Sequence, residues 1–218
     1  MKCPPTLNTP NMAHNYLSTT FTPAVLAEQE RYYGKHQHVP PAPGPDELGA
    51  LEQVFIEGRD SFYLSSVSAD GWPYLQHRGG PKGFLKVVDE HTLAFADLGG
   101  NRQLLSTGNF QGNDRAALFL MDYPRRQRLK LLGHIEVLPA KEHVALAAEV
   151  APAGIAPRLV ERIFRIRVTA HDWNCPKYIT PRFTADEIEL AAAPLKQRLA
   201  SLEAALVAAG LPIPPSAP

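Results

Sequence analysis

The sequence predicts a mainly β protein: an antiparallel barrel of about seven strands with helices at its edges. Three observations predict it. From Ser61 the hydrophobic period changes from about 3.6 to 2, with β-branched and aromatic residues taking over. Short turns at Ala69-Asp70-Gly71 and Asp89-Glu90-His91 join successive strands as hairpins. The intervals between strands hold only short helical stretches, which excludes a doubly wound α/β fold, since parallel strands need a crossover after each one.

The elements follow in order. Residues 22–33 read as a helix with Thr22 as N-cap, Pro23 at its first position and Gly34 as its stop. The connector Val39-Pro40-Pro41-Ala42-Pro43-Gly44-Pro45 leads to a second helix from Asp46 to about Glu57, with Leu48, Leu51, Val54 and Phe55 on one face and Gly58 as its stop. Strands are predicted at 62–67, 72–77, 83–88, 92–97, 115–123, 128–138 and 162–173. Short helices are predicted at 101–110, entered by a Gly-Gly turn, and at the Ala-rich 140–150. About seven strands in hairpin succession form a sheet large enough to close on itself.

A heptad seam follows at 185–209, with Ile188, Ala192, Leu195, Leu199, Leu202 and Leu206 spaced 4, 3, 4, 3, 4. Such a helix lies on its own barrel or meets a partner subunit. Pro194 breaks or kinks it near its start. The chain thus divides into an N-terminal tail and helices (1–58), a barrel (59–182), a C-terminal helix (183–211) and a flexible tail (212–218).

Composition sets the broad class. Of 21 prolines in 218 residues, eight fall in residues 1–45 and four in 212–218, so the surplus marks the ends while the middle has an ordinary density. No apolar run is long enough to span a membrane, and the N-terminus lacks the apolar stretch of a signal peptide, so a cytoplasmic protein is expected. Two cysteines, Cys3 and Cys175, allow neither a disulfide framework nor a four-cysteine zinc site. Zero formal net charge argues against nucleic-acid and membrane-surface partners. The charge is uneven, however: residues 76–130 hold nine Lys and Arg against five Asp and Glu, enough to hold a small anion.

Three segments could do chemistry. The first is Gln76-His77-Arg78-Gly79-Gly80-Pro81-Lys82-Gly83-Phe84, where glycines let backbone N–H groups approach a ligand and Arg78 and Lys82 supply charge for a phosphate. The alternative is a wide turn with solvated charges. It is not a Walker loop, because the GK[ST] ending and following helix are missing. The second is Gly99-Gly100-Asn101-Arg102, entering the short helix that carries Ser106 and Asn109; a helix N-terminus with an Arg beside it suits an anion, or is simply capped. The third is Asp172-Trp173-Asn174-Cys175-Pro176-Lys177-Tyr178-Ile179, whose Trp173, Asn174, Lys177 and Tyr178 suit a planar, hydrogen-bonding ligand or seal the barrel end. Cys175 has no evident base to activate it. His36-Gln37-His38 reads as solvated, and no metal site is expected.

With these residues on view, the stretch from about Phe62 to Val137 resembles the pyridoxamine 5'-phosphate oxidase-like family of FMN-binding split barrels. Leu85-Lys86-Val87-Val88-Asp89 is similar to that family's Leu-Lys-x-x-Asp strand end. Asn101-Arg102-Gln103 is similar to its phosphate-binding Ser-Arg-Lys, and Asn113-Asp114-Arg115-Ala116-Ala117-Leu118 to its Asn-Pro-x-Ala-Ala-Leu. The next strand of the family, with an Arg/Gln-rich start and a Gly end, is matched by Arg126 to Gly133.

The resemblance implies a split β-barrel holding FMN, with FAD or a deazaflavin as alternatives. It implies a homodimer with the flavin site at the interface. The phosphate would lie at Arg102 with Lys82 and Arg78 helping, the ring beside Gln76 to Phe84, and Arg128 near the position from which a partner subunit reaches the flavin. The implied activity is two-electron oxidoreductase chemistry on a small-molecule substrate, with NAD(P)H as a candidate donor. The chain departs from the true oxidase in the Gly79–Gly83 insertion, in Gln103 where that enzyme has Lys, and in lacking its Arg-x-His substrate pattern, so pyridoxamine phosphate is not the expected substrate. The rival expectation is a non-catalytic flavin or haem carrier, or a barrel that serves as an interaction module.

Overall fold

The computed structural model describes residues 14–40, 44–100, 102–173 and 177–214. Asn101, Asn174 and Cys175 lie outside the described residues. Among the described residues there are six α-helices and seven strands: α1 (His14–Thr20), α2 (Pro23–Tyr33), α3 (Ala50–Glu57), β1 (Ser61–Val67), β2 (Pro73–Gly79), β3 (Lys86–Asp89), β4 (Thr92–Asp97), α4 (Leu105–Gly112), β5 (Arg115–Asp122), β6 (Gln127–Pro139), α5 (Val144–Val150), β7 (Arg162–Trp173) and α6 (Ala185–Ala208).

The strands form one sheet in the order β2-β1-β5-β6-β7-β4-β3, and each pairing is antiparallel. β1 and β4 stand four places apart in that order, about 19 Å in a flat sheet. Yet the rings of Phe62 on β1 and Phe95 on β4 have centroids 5.4 Å apart. The sheet therefore curls until its inner face closes on itself, while β2 and β3 remain its two edges. A split barrel results, as the resemblance implies.

Strict alternation builds the core. In β5 every second residue, from Ala116 through Leu118 and Leu120 to Asp122, is buried. Phe95 stacks on Phe164 at 4.9 Å and Phe62 on Phe84 at 5.6 Å. Full burial of such side chains contributes roughly 1.5–3 kcal/mol each. A smaller cluster of Leu138, Val150, Val160 and Ile163 lies beneath α5.

Three elements differ from the sequence reading for identifiable reasons. The helix expected from Asp46 begins only at Ala50, because residues 46–48 are tied elsewhere. Asp46 N–H donates to Thr169 O, Leu48 N–H donates to Glu90 O, and the Asp46 carboxylate accepts from Asn15 Nδ2 at 2.6 Å and from the His171 N–H at 2.9 Å. The strand expected from Gly83 begins at Lys86, since Phe84 N–H closes a turn onto Pro81 O and Gly83 N–H donates to Arg59 O. The helix expected from residue 101 begins at Leu105, because Arg102 and Leu104 take left-handed backbone angles, φ 60° and 57°. The helix over 14–20 was not expected at all.

Candidate functional site

β2 sits at one edge of the split with its inward row, Tyr74, Gln76 and Arg78, facing the mouth of the barrel, while Leu75, His77 and Gly79 are exposed on the outer side. Across the gap runs the loop from Asp97 into α4. Gly99 (φ 87°) takes a left-handed backbone in which any side chain would be strained. Left-handed Arg102 and Leu104 cost about 1–2 kcal/mol each for non-glycine residues, and strain of this kind concentrates at binding sites. Leu104, the α4 N-cap, provides no side-chain acceptor for the first-turn N–H groups.

Together these residues enclose a cavity of about 180 Å³, lined by the β2 inward row, Asp97, Gly99, Gly100, residues 102–107 and Arg162. Three guanidinium groups face it against one carboxylate. Asp97 is engaged mainly by Arg162, whose Nε and Nη2 lie 2.9 and 2.8 Å from Oδ2; Arg78 Nη1 is 3.7 Å from Oδ1. The Arg78 guanidinium packs over Phe164 and Phe95 at 5.1 and 5.6 Å. Its buried Nε has no hydrogen-bond partner among the described residues. Burial lowers the Arg78 pKa from its ordinary value and outweighs the opposing pull of Asp97. A buried donor without an acceptor costs about 1–3 kcal/mol or more when charged, and an anion would relieve it.

Ser106 Oγ donates to Gln76 Oε1 at 3.0 Å, which fixes the carboxamide across the cavity. Asn109 reaches the other way and donates to Ser66 Oγ at 2.9 Å, anchoring α4 to β1. Of the residues singled out in sequence, the fold thus gathers Gln76, Arg78, Arg102 and Ser106 around one cavity, with Asn109 bracing it.

The others are placed elsewhere. His77 is exposed and packs edge-on against Tyr63 at 5.6 Å. Lys82 is exposed, Gly79 ends β2 opposite Ser61, and Gly83 belongs to the turn that leads Phe84 into the core against Phe62. Trp173 packs edge-on against Phe55 at 4.7 Å and donates to buried Glu52. Tyr178 is 91% exposed, with Lys177 Nζ 5.0 Å from its ring centroid. Arg128 lines a second hollow of about 290 Å³ on the outer face of the sheet, with Tyr63, Phe119, Met121 and Tyr178. Its guanidinium lies 5.4 Å from the Phe119 ring centroid, and its buried Nε too lacks a partner among the described residues.

Sequence reading missed Tyr74, Asp97 and Arg162. Arg162 stands 65 residues from Asp97 in the chain and meets it only because the β4–β7 register pairs the two. The Asp97 that ends one strand and the Arg162 that begins another were visible. Their pairing was not.

Residues 50–170 match the family model described as pyridoxamine 5'-phosphate oxidase. No curated protein matches the chain. Among solved structures, HupZ of Group A Streptococcus is 13% identical, with 62% of this chain and 99% of that chain covered and a TM-score of 0.46. A putative pyridoxamine 5'-phosphate oxidase of Lactobacillus delbrueckii is 18% identical, covering 58% and 93%, with a TM-score of 0.44. An FMN-binding protein of Syntrophomonas wolfei is 9% identical, covering 56% and 83%, with a TM-score of 0.43. The family match spans more than half of the sequence and takes in β1 to β6 and most of β7, so the chain belongs to the pyridoxamine 5'-phosphate oxidase family.

Proposed function

We propose that this protein binds FMN in the cavity between β2 and α4 and uses it in two-electron oxidoreductase chemistry on a small molecule. The observation that carries the reading is the buried, unpartnered Nε of Arg78 at a cavity lined also by Arg102 and Arg162. Charge-assisted bonds from arginine suit phosphate oxygens. Family membership supports reading that anion as the phosphate of a flavin.

In this reading a bound flavin supplies the hydride and electron chemistry. The protein contributes binding and electrostatics. Arg78 and Arg102 hold the phosphate, while Asp97 keeps Arg162 oriented at the edge of the site. Gln76, fixed through its Oε1 by Ser106, has its amide N–H groups left to donate to a ligand. The active unit is a homodimer with the flavin at the interface, to which Arg128 and its outer-face hollow contribute. Pyridoxamine phosphate is not the substrate in this reading, given that the chain lacks the oxidase's Arg-x-His substrate pattern.

A second reading has one observation in its favour. Among the described residues the cavity lining contains no His, Cys or Glu, and its one carboxylate is engaged by Arg162. A site whose lining offers so few groups for proton transfer also suits a carrier that holds flavin without turnover.

The test is flavin titration of the purified protein, with mass identification of any cofactor released on denaturation. Micromolar or tighter FMN binding supports the reading, and failure to take up FMN overturns it. Oxidation of NAD(P)H or of a reduced deazaflavin by the loaded protein supports the enzyme, and flavin binding without turnover supports the carrier.

A further inference from the structure

α6 is 24 residues long, and none of them is buried. Its side chains Ile188, Leu195, Leu199 and Leu202 are 58, 74, 57 and 47% exposed. The two placements left open by the heptad spacing are therefore reduced in one respect: the helix does not lie on its own barrel. A capping box starts it, with Thr184 Oγ1 accepting from Glu187 N–H and the Glu187 carboxylate accepting from Thr184 N–H.

We propose that α6 pairs in parallel with α6 of a second copy of this chain, forming a short two-stranded coiled coil. In heptad terms Ile188, Leu195 and Leu202 are d positions, and Ala192, Leu199 and Leu206 are a positions. The seam of six spans roughly 27 Å.

Charge selects the partner and its direction. The flanking e positions are Glu189, Lys196 and Glu203, and the g positions are Ala191, Arg198 and Ala205. In a parallel, in-register pair each g residue faces the e residue five positions on in the other helix. Arg198 then meets Glu203 on both sides, and Ala191 meets Lys196 without conflict. An antiparallel pair with the six seam residues overlapped sets Lys196 against Lys196, Arg198 against Arg198 and Glu189 against Glu203. Every one of those is a like-charge contact. Pro194 falls at a c position, away from the seam, so its ring does not enter the interface.

Three heptads are marginal in isolation. Tethered to barrels that associate, the helices meet at a high effective concentration, so the seam closes as an intramolecular event. The inference rests on the homodimer proposed above but not on the flavin, and its test involves no cofactor.

The test uses the full chain with Cys3→Ser and Cys175→Ser, carrying either Leu199→Cys at the a position or Ala200→Cys on the outer side. Under mild oxidation the Leu199→Cys protein is expected to form the covalent dimer at least tenfold faster. Adding Arg198→Glu should slow that cross-linking several-fold, and adding Glu203→Arg as well should restore it. Equal rates for the two cysteine positions, or no restoration by the charge swap, overturns the proposal. Hydrogen exchange on the chain with its natural cysteines gives an independent readout. Amides of residues 188–206 should be protected, and Leu199→Asp with Leu202→Asp should abolish that protection while leaving β5–β7 unchanged. Unprotected α6 amides in the parent chain likewise overturn it.

Discussion

Trp173 donates its indole N–H to Glu52 Oε1 at 2.6 Å, and this bond joins the end of β7 to α3. Glu52 is only 4% exposed, so its carboxylate depends on that donor. Trp173→Phe keeps the edge-on packing with Phe55 but leaves a buried carboxylate unpaired. The expected cost is about 1–3 kcal/mol in urea unfolding. FMN affinity is expected to stay within about twofold of the parent. A large loss of flavin with unchanged stability would instead assign Trp173 to the cofactor.

Arg78 is expected to hold the flavin phosphate. Arg78→Ala removes a charged donor worth roughly 1.5–3 kcal/mol, which is about a 10- to 100-fold weakening of FMN binding by fluorescence titration. Arg78→Lys should recover little, because an ammonium cannot reproduce the planar packing over Phe164 and Phe95. Folding stability should change little in either variant, since Asp97 retains both contacts from Arg162.

Asp122 predicts a pH-dependent stability. Burial by itself would raise its pKa. The N–H and guanidinium of Arg125, together with Arg59 at 2.8 Å, outweigh burial and hold the pKa below the usual carboxylate value. A depressed folded-state pKa gives stability that is present above the unfolded value, about 3.9, and lost as pH falls through the folded value. Asp122→Asn should therefore cost about 2–3 kcal/mol at pH 7. The gap between variant and parent should narrow steadily below about pH 4. A pH-independent gap would exclude the ion pairs as its cause.

Gly133 sits at the irregularity where β6 shifts register against β7. A β-carbon there would meet Arg167 O at 2.5 Å, and backbone cannot swing aside as a side chain can. Gly133→Ala is expected to destabilise by about 1–3 kcal/mol, as overpacking does. Gly112→Ala, which would meet nothing within 4 Å, is the control and should cost far less. Thermal unfolding of the two variants decides it.

Much of the fold was legible because its signals are local. Alternation of apolar and polar residues marked β7, the heptad spacing from Ile188 marked α6, and Gly71 marked the first hairpin. The missed features depend on distant partners. Asp46 reads as the start of a helix in sequence, but in the fold its carboxylate is claimed by Asn15 and His171 and its backbone by β7. Phe84 reads as part of a glycine-rich binding loop, yet Phe62 and the curled sheet draw it into the core. The site divides in the same way. Gln76, Arg78, Arg102 and Ser106 stood out by type and spacing, whereas Arg162 and Asp97 did not.

By itself the sequence determined an antiparallel barrel, its strand succession, an excess of cations between residues 76 and 130, and the heptad seam of α6. Each of these is written in residues near one another in the chain, where period, turn chemistry and charge act directly. The tertiary structure decided which cations converge. Closing the sheet brought Arg78, Arg102 and Arg162 to one cavity and sent Arg128 to the opposite face. It also left α6 without a buried residue. Those outcomes turn on strand order and register, which depend on how the whole set of apolar faces packs together, and no local stretch of sequence carries that information.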